Sequence, residues 1–342
     1  MKRYGILFLN IGSPKKPNYF SVASYLKKFL SDPRILNIPY FFRILLVYTI
    51  IVPFRSFKVL KLYSSIYSKK NGFPLTNYSL SFAKKVQAAL PQHNIGIGLA
   101  NSEPSIHNSI QKLTQSGCDE ILLFPLFPQY AASTVSSVLA DVYKECSKIW
   151  DVPKVRVIEP FFSDNDWILL WKHRILKLTK NFDYDHILFS YHGLPLSHLR
   201  LSDKNNHCTL SSDCCFQLSE QNKNCYGAQC YNTTEKISAS LKLPKQNFST
   251  SFQSRLGPAK WLSPATSQQV VDLAKSGIKK LIICCPSFVT DCLETLEEIQ
   301  IQIKEEFIAA GGEDLILVPS LNDSEDWINW IQKKTKTYLN EI

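Results

Sequence analysis

Continuous apolar runs, rich in Ile, Leu, Val and Phe, punctuate the chain at residues 4–10, 95–100, 120–124 and 154–158. A second series lies at 186–191, 248–252, 279–284 and 315–318. Runs of this kind, without alternation, predict strands buried on both faces. Between them apolar positions return at helical spacing, which predicts helices over 19–30, 79–90, 133–148, 263–276 and 291–309. Strands that alternate with helices predict an α/β fold with parallel sheets flanked by helices.

The pattern repeats. Gly5-Ile6-Leu7-Phe8-Leu9-Asn10-Ile11-Gly12-Ser13-Pro14 aligns with His186-Ile187-Leu188-Phe189-Ser190-Tyr191-His192-Gly193-Leu194-Pro195. Ser116-Gly117 before Ile121-Leu122-Leu123 likewise resembles Ser276-Gly277 before Leu281-Ile282-Ile283. A chain of 342 residues, at roughly 100–200 residues per domain, suggests about two domains, and the repeat makes them related halves. The expected division is 1–160 for an N-terminal α/β domain and 161–319 for a C-terminal one, followed by a terminal helix over 320–342. Parallel sheets bind ligands beyond the carboxyl ends of their strands. Two facing sheets would line one cleft, with Ile11 and His192 at equivalent places.

Composition narrows the class. Ten cysteines in 342 residues are too sparse for a disulfide-stapled secreted domain. The start, Met1-Lys2-Arg3-Tyr4, precedes an apolar run too short for a signal peptide and without a small-residue cleavage pattern. The expected compartment is therefore the reducing cytoplasm. The net charge of +10 comes from scattered Lys and Arg with no dense patch, so nucleic acid is not an expected partner. No GxGxxG or GxxxxGK[ST] loop occurs, and no nucleotide is expected. Residues 38–54 are the most apolar stretch, yet they carry Arg43 and fall short of the ~20 apolar residues of a spanning helix. One reading is a partly buried helix. The other is an apolar lip that rests on a membrane or admits an apolar substrate, with Arg55, Lys58 and Lys61 suited to anionic headgroups.

Three constellations could carry chemistry. His192 follows a strand directly, and Gly193 allows close approach of a ligand. A neutral imidazole there could take a proton or bind a metal. Glu294, Glu298 and Gln302 fall at i, i+4 and i+8, one face of a helix that opens after Cys284-Cys285-Pro286. Such a row could pass a cation or accept protons; acids offsetting a helix dipole are the plainer reading. Half of all the cysteines, Cys208, Cys214, Cys215, Cys225 and Cys230, lie in one polar, loop-like insert over 207–230. Five clustered thiols suggest a site needing four, an iron–sulfur cluster or zinc.

These residues together resemble the ferrochelatase family. The resemblance runs in order through Gly5 to Pro14, Tyr25-Leu26-Lys27-Lys28-Phe29-Leu30-Ser31-Asp32-Pro33-Arg34, and Phe124-Pro125-Leu126-Phe127-Pro128-Gln129-Tyr130-Ala131-Ala132-Ser133-Thr134. It continues through Ser190 to Pro195, Ser251-Phe252-Gln253-Ser254-Arg255-Leu256-Gly257-Pro258 up to Trp261, and Asp291-Cys292-Leu293-Glu294-Thr295-Leu296-Glu297-Glu298.

The resemblance implies two flavodoxin-like domains with a porphyrin cleft between them and a lyase that inserts Fe2+ into protoporphyrin IX to give protohaem. Residues are carried over by position: His192 and Glu294 as catalytic and iron-site residues, with Glu298 extending the metal path. Tyr130, Ser133 and Thr134 fall on a porphyrin-side loop, Ser31 and Arg34 near the propionates or cleft mouth, and Ile11 on the apolar wall. Residues 38–54 match the family's lip. The cysteine insert matches members that carry a [2Fe-2S] cluster, with four of the five thiols as ligands. The chain departs from the family at Leu99-Ala100-Asn101-Ser102, where many members have Met-Arg-Tyr-Gly, and at Gly72-Phe73-Pro74-Leu75. Ile11 replaces Met or Tyr and cannot ligate iron, so metal chemistry should rest on His192 and Glu294. The rival expectations are a chelatase for coproporphyrin or another tetrapyrrole, and a haem-binding or iron–sulfur sensor protein without turnover.

Overall fold

The computed structural model describes residues 3–118, 120–210, 212–255 and 257–340. Leu256 of the Ser251–Trp261 motif lies outside the described residues, as do the two residues at each end of the chain. The chain forms two compact units. One comprises residues 1–127, 132–159 and 322–342; the other comprises 128–131 and 160–321.

The first unit is built on strands β1 (Tyr4–Asn10), β2 (Asn94–Leu99), β3 (Glu120–Pro125) and β4 (Lys154–Val157). They are parallel in the order β2-β1-β3-β4. The second unit uses β5 (His186–His192), β6 (Phe248–Gln253), β7 (Lys280–Cys284) and β8 (Asp314–Leu317), in the equivalent order β6-β5-β7-β8. The same order in both sheets is what the internal repeat predicts. The central strands are buried along their whole length in β1 and β3, as both-face burial requires, while the edge strand β4 is partly exposed. Ile6, Leu7, Phe8 and Leu9 form the first core with Phe82 and Phe124. Leu188, Leu281, Ile283, Ile299 and Phe307 form the second.

Helix starts are set by short polar caps. Asn18 accepts from Ser21 N–H, Ser105 from Asn108 N–H, and Asp164 from Trp167 N–H. After β4 the chain enters helix Asn165–Thr179, which belongs to the second unit. After β8 it enters helix Glu325–Leu339, which belongs to the first. Trp327 stacks on Phe82 and Trp330 meets Phe124, so this last helix closes the first unit's core.

Three segments are π-helical: Leu46–Ile51, Ala132–Ser136 and Glu294–Ile303. The first lies between helices Tyr40–Leu45 and Val52–Ser65, and the wider turn precedes Pro53, which supplies no N–H to a ladder. In this stretch Arg43 is buried. Its guanidinium donates to the Ile38 carbonyl at 2.8 Å, while Tyr40, Phe41, Phe42, Leu45 and Phe54 stay exposed. No helix among the described residues is long and apolar enough to cross a membrane.

Candidate active site

In the second unit the site is built where β5 and β6 end. His192 closes β5, and its Nδ1 lies 2.7 Å from the Gly193 carbonyl oxygen. A carbonyl only accepts, so Nδ1 carries a hydrogen, and in the neutral imidazole the lone pair is then on Nε2. The peptide between His192 and Gly193 is held at both ends. Tyr226 Oη donates to the His192 carbonyl at 2.8 Å, and Gly193 N–H donates to the Gln253 carbonyl at 2.7 Å. A Cβ on Gly193 would stand 2.8 Å from that same Gln253 oxygen, which is why glycine is needed there.

Gln253 ends β6 and is buried. Its Oε1 accepts from Ser190 Oγ at 2.7 Å, which orients the amide. The Nε2 then faces the π-helix, donating to the Glu294 carbonyl at 2.8 Å and more weakly toward Glu298 at 3.5 Å. Ser254, in the left-handed region at φ 65°, gives Glu298 its backbone N–H at 2.8 Å and its hydroxyl. Burial pushes the Glu298 carboxyl up. The Ser254 hydroxyl and the charge of His192 oppose this, and Glu294 adds to it. Glu298 is thus within electrostatic reach of both His192 and Glu294, inside one unit. Cys292 hydrogen-bonds Glu294, and its thiol is pushed well up by burial.

One detail departs from the sequence expectation. Glu294, Glu298 and Gln302 do not line an α-helical face, because the segment is a π-helix. Gln302 donates instead to both carboxylate oxygens of Glu297, at 2.8 and 2.6 Å, the i, i+5 neighbour that a π-turn brings alongside. The row ends at Glu298.

The other expected residues fall in two groups. Tyr130 belongs to the second unit, where its N–H donates to Gln229 Oε1 at 2.6 Å. Ile11, Ser31, Arg34, Ser133 and Thr134 belong to the first. There Ser133 and Thr134 lie on the π-turn Ala132–Ser136. The next residue, Ser137, gives its hydroxyl to Asp32, which also pairs with Arg34 at 3.6 Å. The Ser31 hydroxyl is buried and has no hydrogen-bond partner. Gly12, at φ +89°, leaves space that Ser102 Oγ occupies, so the altered Leu99–Ser102 loop packs back on the end of β1. Sequence reasoning missed Gln253, Ser254, Tyr226 and Gln229. For the first two the signal was present in the Ser251–Trp261 motif; for the others there was none.

The cysteine insert divides. Cys214 and Cys215 have their sulfurs 3.9 Å apart, Cys208 is in contact with Cys214, and Cys215 with Cys225. Cys225 is pulled down to about 6, first by a hydrogen bond from Cys215 and then by the N–H groups of Ala228 and Gly227, against burial. Cys215 is pushed up by the same pairing and by burial. Cys230 is on helix Tyr226–Leu241, fully buried, and contacts Tyr226. Among the described residues, no three His, Cys, Asp or Glu side chains converge as ligands of one metal ion.

The comparisons with known proteins agree across the chain. The family described as Ferrochelatase matches residues 3–339. A ferrochelatase of Coxiella burnetii is 39% identical over 98% of this chain and 94% of its own length. One of Bdellovibrio bacteriovorus is 40% identical over 96% and 97% respectively. Among solved structures, SirB from Bacillus subtilis with Fe3+ aligns over 99% of this chain and 97% of its own with a TM-score of 0.56 and 12% identity, a likeness of fold. The chain belongs to the ferrochelatase family, the chelatases that insert iron into a porphyrin in haem synthesis.

Proposed function

We propose that His192 accepts a pyrrole proton and Glu294 holds the incoming Fe2+ in the family's reaction, Fe2+ plus free-base protoporphyrin IX giving protohaem plus two protons. The observation that carries this reading is the Nδ1 contact of His192. With Nδ1–H given to the Gly193 carbonyl, the neutral imidazole presents its Nε2 lone pair at the end of the strand. Glu294 is held by Gln253 through its backbone, and its carboxylate, which also accepts from the Cys292 thiol, keeps lone pairs for a cation. Glu298 lies next on the row, and the burial that pushes its carboxyl up suits it to receive a proton.

The porphyrin is a flat macrocycle with two in-plane N–H groups, so metal entry requires a distorted ring. Contacts with its large faces offset that strain. Ile11, Tyr130, Ser133 and Thr134 are assigned to those faces, and Ser31 and Arg34 to the propionates. The unpartnered Ser31 hydroxyl and the Arg34 guanidinium are the donors such carboxylates need.

The test is anaerobic iron insertion by His192→Ala and Glu294→Gln, offered proto- and coproporphyrin and several divalent metals. Loss of turnover in both variants with porphyrin binding retained is expected. Near-normal turnover in both would refute the assignment, and binding without any metalloporphyrin product from the unaltered chain would favour a carrier.

We propose further that Cys208, Cys214, Cys215 and Cys225 would hold a resident [2Fe-2S] cluster; what supports this is their pairwise contact, with the Cys214 and Cys215 sulfurs 3.9 Å apart. N–H groups of Gly227 and Ala228 favour the Cys225 thiolate, while burial, opposed by the Leu210 N–H, pushes the Cys208 thiol up. When bound, the cluster would supply a one-electron centre, which the non-redox insertion step does not consume. The exposed aromatic face of residues 40–57, beside Lys58 and Lys61, supports peripheral contact with an anionic membrane.

A further inference from the structure

The helix that follows the cysteine insert reaches two assigned site residues with its first turn. Cys225 is the N-cap of helix Tyr226–Leu241. The next residue, Tyr226, is buried and gives its hydroxyl to the His192 carbonyl at 2.8 Å. Gly227 packs so closely that a Cβ would meet Cys215 Sγ at 2.9 Å. Gln229 faces both ways: Oε1 accepts the Tyr130 N–H at 2.6 Å, and Nε2 donates to the Lys223 carbonyl inside the insert at 2.7 Å. One turn on, Thr233 Oγ1 accepts from Gln129 Nε2 at 3.0 Å. The insert, the end of β5 and the Gln129–Tyr130 segment are therefore joined by a single helical turn. These are direct hydrogen bonds within one unit, and neither Tyr226 nor Gln229 has a chemical task in iron insertion.

We propose that Tyr226 and Gln229 are positioning residues for iron insertion, and that through them the cysteine insert sets the placement of His192 and Tyr130. This rests on the roles given to His192 and Tyr130 above. Tyr226 fixes one end of the His192–Gly193 peptide and Gln253 the other. Without the hydroxyl that peptide is held at one end only, and the imidazole loses its fixed aim. Gln229 fixes the Tyr130 backbone on the porphyrin side. Because Gln229 also holds Lys223, and Cys225 caps the helix, a rearrangement of the insert moves the whole turn.

The experiment compares Tyr226→Phe, Gln229→Leu, Gln229→Glu and His192→Ala in the full chain. Tyr226→Phe keeps the ring and should lower kcat about ten-fold with porphyrin KM within about two-fold, since only the proton acceptor is misplaced. Gln229→Leu should instead raise porphyrin KM and the dissociation constant measured by fluorescence quenching. Gln229→Glu, which still accepts the Tyr130 N–H, should restore most of that loss. The readout independent of activity is amide hydrogen exchange over residues 220–230, followed by mass spectrometry. Linkage is reciprocal, so saturating porphyrin should change the exchange rate there several-fold in the unaltered chain and not in a Tyr226→Phe, Gln229→Leu double variant. If His192→Ala turns over normally, the catalytic assignment fails. If His192→Ala is inactive while Tyr226→Phe and Gln229→Leu match the unaltered chain in kcat, KM and amide exchange, the positioning role is overturned. Should Tyr226→Phe not fold, the Gln229 pair decides alone.

Discussion

Replacing Gly193 by alanine tests how tightly the base is held. The backbone at Gly193 is ordinary, so the cost is one of space. The new Cβ would lie 2.8 Å from the Gln253 carbonyl oxygen and 3.4 Å from the Trp261 ring. The first is backbone at a strand end and cannot rotate away. Relief to ordinary contact requires about 0.6 Å of separation between the ends of β5 and β6, since such contact begins at 3.4 Å. That movement stretches the Gly193 N–H bond to the same oxygen, now 2.7 Å, to the edge of hydrogen-bonding range. The lost bond and the strain together should cost roughly 1–3 kcal/mol. The larger consequence is for His192, the adjacent residue. A shift of about 1 Å in a reacting group costs on the order of 100-fold, so a several-tenths displacement should lower kcat by roughly ten- to thirty-fold. The assay is anaerobic Fe2+ insertion followed by loss of free-base porphyrin fluorescence, with a melting curve on the same preparation. An alanine variant with unaltered kcat and melting temperature would refute the claim that this turn fixes the base.

Other outcomes follow from the same geometry. His186, buried at the start of β5 against Ser249, is held down to about 4 by burial. Its folded value lies below the unfolded one near 6.5, so the unfolded chain binds the extra proton. Stability should be full above about pH 6.5 and fall by about 3 kcal/mol as pH drops to about 4, and His186→Gln should flatten that slope in urea titrations. Cys225→Ser should abolish bound iron and acid-labile sulfide, whereas Cys230→Ala should leave both in place. Equal loss in the two would return Cys230 to the ligand set. Phe41→Ser with Phe54→Ser should reduce sedimentation with anionic vesicles several-fold while leaving turnover of soluble porphyrin intact, because both rings face outward.

The strands were legible because both-face burial imposes a continuous apolar run. Each of the eight starts and ends within one residue of the pattern. The helices were less so. Helix Tyr226–Leu241 was not set out as a helix, because its first turn carries Gly227 and Cys230 and faces the interior with small and polar residues, including Thr233, Thr234 and Ser238. A helix without an apolar stripe carries no period-3.6 signal. His192 could be read from its place after a strand. Its tautomer could not, because a carbonyl one residue away makes the hydrogen bond. The pool of five cysteines likewise could not be sorted by spacing; the burial of Cys230 against Tyr226 separates it from the other four.

The π-helix over Glu294–Ile303 decides what Glu298 can do. An α-helical face would place Gln302 beyond Glu298 and continue a polar route inward. The π-turn brings Gln302 to Glu297 instead, so the row stops. At that stop both Glu298 oxygens are engaged: one takes the Ser254 N–H, the other the Ser254 hydroxyl and the edge of the Gln253 amide. A cation bound there would have to displace donors fixed by β6, and a buried acceptor stripped of such a bond costs about 1–3 kcal/mol each time. A proton requires only that the Ser254 hydroxyl turn round and accept. Burial favours that neutral form, and so does the negative charge of Glu294. On the proposed assignment Glu298 would serve as a terminal proton acceptor rather than a station for iron, and the metal would be held one turn earlier, at Glu294.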